Sequence, residues 1–217
     1  MEDIKMKQIA VFCISFLFSA ACLLAQTPEE IVSRMDEAMA PSETEGLSMV
    51  MDIKIPIVGT TSSIVMFKGE KSKMEISLLG EKSITWTDGD VEWTYDTKKK
   101  EVVITETPSG GKSEAEENAS MFDDVTSGYD LTLKSETPTE WHIHCKKSRT
   151  NHDKDAPKTI DLVVSKASYL PVSLSTKISG ISLVMRDVKI GVSDDDVTFH
   201  PGDYPDARIV DKRQAGK

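Results

Sequence analysis

The sequence predicts an α+β, mostly β domain: a strongly curved antiparallel sheet whose concave hydrophobic face is covered by helices. Three observations predict it. From Leu47 onward, apolar and polar residues alternate in short runs divided by turn residues, the signature of half-buried strands. An amphipathic helical stripe precedes the runs and a second helical signal interrupts them. Finally, ten or so strands in one chain favour a strongly curved sheet or barrel.

The elements follow in order. Residues 9–25 form an uncharged apolar run between Lys5 and Lys7 on one side and a polar stretch on the other, so residues 1–25 read as a signal peptide. About 17 apolar residues lie at the short limit for a retained membrane span. Met6 offers a cleaner start than Glu2-Asp3 permits. Cleavage after Ala25 releases a soluble chain, and residues 26–217 are expected to form one domain. Residues 19–22 loosely match a lipobox that would place lipid on Cys22, but Ser19 stands where that motif usually has Leu, and Leu23-Leu24 prolong the apolar run.

Thr27-Pro28-Glu29-Glu30 supplies an N-cap, a proline at the first helical position and a capping-box glutamate. Ile31, Met35, Ala38 and Met39 then make one apolar stripe, which Pro41 closes. Strands are expected over 47–55, 62–68, 73–78, 83–87, 91–95 and 101–106, with Asp88-Gly89 as a hairpin turn. Residues 107–111 break the meander. Ser113 and Glu116 frame a second capping box, opening a short helix that ends near Asp123-Asp124. Strands resume over 129–134, 140–146, 159–165, 170–177 and 181–190, with a late strand over 197–199.

Composition bounds the function. Twenty-six Lys and Arg against 36 Asp and Glu leave the 217-residue chain at −10, which argues against nucleic-acid binding. With 39% hydrophobic and 29% charged residues, the chain is neither disordered by composition nor a multi-span membrane protein. Two of its three cysteines fall in the leader, so disulfides are not its staple.

No motif for enzyme chemistry is visible: no nucleophile elbow, no HExxH, no phosphate-cradling glycine loop. The chain is therefore expected not to be an enzyme and to need no cofactor. His142, His144 and Cys145 suggest a metal site, but in a strand the two histidines share one face while Cys145 points to the other with Trp141 and Ile143. Asp194, Asp195 and Asp196 lack the alternating ligands of an EF-hand and read as a solvated turn.

The distributed feature is methionine. Eight follow the leader, on the apolar faces of both helices and several strands. Ordinary core filling is one reading; the other is a pliable cavity for flexible hydrocarbon between the curved sheet and its helices. On the second reading the lining is Met35 and Met39 of the first helix, Met49, Met51 and Ile53 of the first strand, Met74, Ile76, Trp93, Leu131, Leu162, Leu174 and Met185 of the others, and Met121 with Phe122 on the second helix. Residues 64–67 are apolar on both faces, so parity alone does not fix the concave side.

The order of elements, the hairpin Thr87-Asp88-Gly89-Asp90-Val91-Glu92-Trp93-Thr94-Tyr95-Asp96, then Leu170-Pro171-Val172, Val197-Thr198-Phe199 with Pro201, and Ile209-Val210-Asp211-Lys212-Arg213 resemble the periplasmic outer-membrane lipoprotein carriers, the LolA-like family. The resemblance covers nearly all of the chain after the leader. It implies an unclosed β-barrel with a helical lid, and a periplasmic, monomeric carrier. Such a carrier takes acylated lipoproteins from an inner-membrane release transporter to an outer-membrane acceptor. On the same fold it also allows a lipid- or lipoprotein-binding sensor, or a lipidated acceptor anchored through Cys22. The family's early Arg-Pro is absent from residues 67–70, so no residue here takes its role in lid closure. Gly110-Gly111 beside the second helix would suit a hinge.

Overall fold

A computed structural model describes residues 26–107 and 126–213, apart from 58, 79 and 155. The leader, the Gly110-Gly111 joint and the second helix with Met121 and Phe122 lie outside these residues. Helix α1 (Pro28–Met39) is followed by a single helical turn, α2 (Ser42–Glu45). Six strands come next: β1 (Leu47–Ile55), β2 (Gly59–Lys68), β3 (Lys71–Leu78), β4 (Glu81–Thr87), β5 (Val91–Asp96) and β6 (Glu101–Glu106). Another six complete the sheet: β7 (Tyr129–Glu136), β8 (Glu140–Lys147), β9 (Thr159–Ser165), β10 (Pro171–Ile178), β11 (Ile181–Ile190) and β12 (Arg208–Asp211).

All twelve strands form one curved sheet in the order β12-β6-β5-β4-β3-β2-β1-β11-β10-β9-β8-β7. Two meanders meet where β1 pairs with β11, and β7 and β12 are the two edges, so the sheet is not closed. Every pairing is antiparallel except β12 with β6. The late strand is thus 208–211; the expected strand over 197–199 is instead a turn and coil whose residues pack as a cover. Val197 is buried by that packing and pairs with no strand.

Helix α1 starts as its residues dictate. Thr27 Oγ1 accepts from the Glu30 backbone N–H, and the Thr27 N–H donates to the Glu30 carboxylate, a reciprocal cap. Its stripe Ile31, Val32, Met35 and Met39 is buried against Leu47, Met49, Val65, Phe67, Ile143, Leu162, Leu174 and Met185. The face of the sheet toward α1 is called inner below. At the joint between α2 and β1, Gly46 has φ +83°, and a Cβ there would stand 2.6 Å from the Phe67 carbonyl oxygen. Only glycine fits both demands.

A second core occupies the outer face of β4–β6. Ile84, Trp86 and Val102 are buried there under residues 192–204, of which Val192 and Val197 are buried in turn. Phe199 lies 5.3 Å from Trp86 and 5.8 Å from Trp93, centroid to centroid, and Tyr204 lies 4.5 Å from Tyr95. These tilted and offset arrangements are the ones aromatic quadrupoles favour. The apolar face of the sheet therefore changes sides between β3 and β4. Met74 pairs with Thr85 on the inner face, while Lys73 pairs with Trp86 on the outer.

Candidate functional site

The register sorts the sequence-predicted lining. Successive pairings place Leu162, Leu174, Met185, Met51 and Ile76 in one inner row, through Leu174–Leu162, Leu174–Met185, Met51–Met185, Met51–Ser63 and Ser63–Ile76. Met49 and Met74 share that face across Val65. Ile53 faces Leu183, and Leu131 faces Cys145, again inward. Trp93 does not join them. It pairs with Trp86, which pairs with Lys73, so it lies on the outer face in the aromatic core. Its placement in the lining is corrected by the side switch between β3 and β4.

The inner residues then divide by depth. Under α1 the space is filled: Met35 and Met185 are fully buried, Met39, Met49, Leu162 and Leu174 nearly so, and all belong to one packed cluster. Toward the other end of the strands Met51, Ile53, Met74, Ile76 and Leu131 are half-buried.

The gradient continues to the hairpins. Along β11 the inner side goes from buried Met185 through half-buried Leu183 to exposed Ile181; along β1, from Met49 through Met51, Ile53 and Ile55 to the exposed turn residue Ile57. On β3, half-buried Met74 and Ile76 lead to exposed Leu78. With the period of two that puts alternate residues on one face, these form an apolar track on neighbouring strands. Met49 to Ile55 spans about 20 Å at the strand rise of about 3.3 Å per residue.

Leu183, Ile55, Leu78 and Ile181 lie within the strands the sequence predicts but outside the lining it names, and Ile57 lies in the turn after β1. The signal that finds them is aliphatic residues beside Gly59, Gly80 and Gly180, where turns are ordinarily polar.

Polar groups bordering the track are satisfied. Thr61, buried between β1 and β3, donates from Oγ1 to the Ser77 carbonyl at 2.6 Å. Beyond Met74 and Ile76 the inner face turns hydrophilic, with Ser83, Thr85 and Thr94 half-buried and the two threonine hydroxyls 3.3 Å apart. The surface is thus amphipathic: hydrocarbon across β10, β11, β1 and β3, hydroxyls across β4 and β5.

Other candidate chemistry is placed elsewhere. Cys145, Trp141 and Ile143 are buried inward, while His142 and His144 lie on the outer side. His144 Nδ1 is 2.7 Å from Asp161 Oδ1. Burial pushes the Cys145 thiol up to about 11, which keeps it protonated and a poor ligand. Among the described residues no three His, Cys, Asp or Glu gather to hold a metal ion. Asp196 accepts from the Ser193 N–H and hydroxyl, Asp195 lies 2.9 Å from His200 and Asp194 faces Lys68 at 3.8 Å, so that acidic turn is engaged internally.

No protein-family model and no curated protein matches the chain. Solved structures to which it is similar include a LolA superfamily protein from Nitrosomonas europaea, at 14% identity over 82% of this chain and 100% of that one, with a TM-score of 0.34. A putative outer membrane lipoprotein-sorting protein domain from Vibrio parahaemolyticus is 13% identical over 79% and 97% of the two chains, with a TM-score of 0.31. A MucA/MucB complex from Pseudomonas aeruginosa matches at 10% identity over 79% and 60%, with a TM-score of 0.44. The first of these bears the name of the family that the sequence resembles.

Proposed function

We propose that this chain is a non-enzymatic periplasmic carrier that holds the acyl chains of lipoproteins on its inner face and moves them between the inner and outer membranes. The observation that supports this reading is the graded apolar track. Its methylene-rich side chains run from a sealed core to an open end, and half-buried Met51, Ile53, Met74 and Ile76 have apolar surface still to be covered. Covering it with an acyl chain gains about 0.8 kcal/mol per buried CH₂, so a few turns of chain suffice for capture and fall short of irreversible binding. Methionine suits a cargo that must enter and leave, because its unbranched thioether repacks at low cost. The hydroxyl-bearing β4–β5 side then borders the polar part of an acylated cargo.

The release transporter of the inner membrane and the acceptor of the outer membrane are the partners this reading requires. Its test is transfer. Protein loaded with a palmitoylated peptide is expected to deliver it to acceptor vesicles, and Ile76→Ser and Ile53→Ser to weaken loading without unfolding. Peptide retained indefinitely would make the chain a sensor, and loading unchanged by both substitutions would remove the inner face from the account.

A further inference from the structure

We infer that the hairpin end of the sheet is a docking surface for an anionic lipid bilayer. The turns β1–β2, β3–β4 and β10–β11 are neighbours at one end of the sheet, because their strands are adjacent in the order β4-β3-β2-β1-β11-β10. Four of the seven exposed large hydrophobic side chains among the described residues sit in or directly beside these three turns: Ile57 in the β1–β2 turn at 107%, and the strand-end residues Leu78 and Ile178 at 43% and Ile181 at 39% relative exposure. Scattered single apolar residues need no explanation; four on three adjacent tips form a patch.

Backbone geometry makes the exposure costly. Ile57 has φ +73°, a region in which a β-branched residue is a true outlier, and there its whole side chain stands in water. Strain of this kind persists where function uses it. Aliphatic side chains left exposed at the ends of paired strands and on the turn between them match the interfacial zone of a membrane, where side chains enter hydrocarbon and the strands stay outside.

Charge chooses the membrane. The chain is strongly acidic, yet this end holds exposed Lys54 and Lys177 beside the aliphatic tips, and Lys99, Lys146, Arg149 and Lys158 on the flanking turns. The acids there sit among bases of the same end: Glu81 is paired with Lys98, Asp96 with Lys99 and Glu101 with Arg208, Asp130 stands opposite Lys146 across β7 and β8, and Asp153 shares the β8–β9 connection with Arg149 and Lys158. The opposite end carries Glu70, Asp88, Asp90, Asp194, Asp195 and Asp196 against Lys68, Lys71 and Lys166. Such polarity turns the aliphatic tips toward anionic lipid and the acidic end away from it. The docked end is also the open end of the apolar track. The inference rests on the tips and the charges around them, and stands whether or not the inner face carries acyl cargo.

The test is co-sedimentation of the purified mature chain with vesicles of phosphatidylethanolamine and phosphatidylglycerol, against phosphatidylcholine alone. The expected result is binding to the anionic vesicles that weakens with added salt. The variant Ile57→Asn, Ile178→Ser, Ile181→Ser should lower it at least about tenfold, since each removes an aliphatic contact. Asparagine suits the left-handed backbone at 57, so this variant folds. Lys54→Glu with Lys177→Glu should lower anionic binding and leave the weak neutral binding as it was. Equal binding by wild type and the tip variant, or equal binding to both vesicle types, overturns the inference. So does loss of a dimer in the tip variant with no vesicle binding by wild type, which would make the patch a self-association surface. Ile76→Ser, away from the tips, separates the two readings: it should impair acyl loading and spare docking, whereas Lys54→Glu with Lys177→Glu, whose residues lie outside the apolar track, should lower docking and spare acyl loading.

Discussion

The sheet is closed on its two sides by different chemistry. Over β4–β6 the outer cover is residues 192–204, turns and coil with a short 3-10 helix (Pro201–Asp203), locked by rings: Trp86 touches both Phe199 and Tyr204, and these two stack at 5.9 Å. Over the rest the inner cover is a capped helix packed through Met35 and Met39 on Met49 and Met185. Aromatic rings have few rotamers and directional contacts, so the outer core has one way to close. Methionines have many, and among the described residues nothing covers the inner face beyond the helix. A ring-locked core and an apolar face that the described residues leave partly uncovered therefore share one sheet, separated by the side switch at β3–β4.

Truncation is the strongest way to break this comparison. Trp86→Ala should cost about 3–5 kcal/mol, because it opens a void under Phe199 and Tyr204 and frees the C-terminal cover. Met185→Ala, also in a filled region, should cost about 2–5 kcal/mol and fall toward the lower end as neighbouring methionines collapse into the space. Urea unfolding midpoints measure both. If Met185→Ala costs as much as Trp86→Ala, the inner core is as rigid as the outer and the contrast fails.

Much of the fold is legible in the sequence because alternation and capping are local. The Thr27–Glu30 box, the β6 bounds 101–106, the β9 bounds 159–165 and the β11 bounds 181–190 all follow from residues within a few positions of each other. What is not legible depends on partners far along the chain. Trp93 alternates as an inward residue should, but its side is set by the pairing of β4 with β3, and alternation has no sign until register is known. Residues 197–199 have strand-like composition and serve as a cover, since their partners are rings on β4 and β5. The β12 strand pairs in parallel with β6, an arrangement that no turn announces. Within the candidate site, periodicity identifies which residues alternate to one face; the exposed continuation lies at strand ends and in the β1–β2 turn, where apolar residues are not expected from composition.

A smaller perturbation sharpens the same contrast. Thr27→Ala removes the side-chain acceptor for the Glu30 N–H and should cost about 1 kcal/mol. Its effect should concentrate in α1: amide exchange of residues 30–35 accelerates, and so does that of Trp141, whose ring meets Tyr169 at 5.2 Å beside Arg34. Amides of β4–β6 should keep their protection. Uniform acceleration across both regions would show that the helix is not an independently loosened cover.

The smallest expected effect is on pH dependence, and it tests the strand pair beneath the track. Asp52 of β1 accepts from Arg186 Nε of β11 at 2.7 Å and from Ser62 Oγ of β2 at 2.5 Å. The Arg186 hydrogen bond foremost, then that of Ser62, holds the Asp52 carboxyl below the usual carboxylate range, against an opposing cost of burial. A carboxyl whose folded value is depressed stabilises the fold fully above its unfolded value of about 3.9, and the contribution disappears as pH falls through the lower folded value. Stability measured by urea unfolding should therefore drop between about pH 4 and the acid limit, and Asp52→Asn should flatten part of that drop while leaving the aromatic cover intact. Because the triad ties β2, β1 and β11 together on the outer face, directly behind the half-buried part of the inner one, the same substitution should also raise amide exchange at Met51 and Ile53 more than at Met49. An unchanged acid profile in Asp52→Asn would mean that the alignment of the open track depends on strand pairing alone and not on this ion pair.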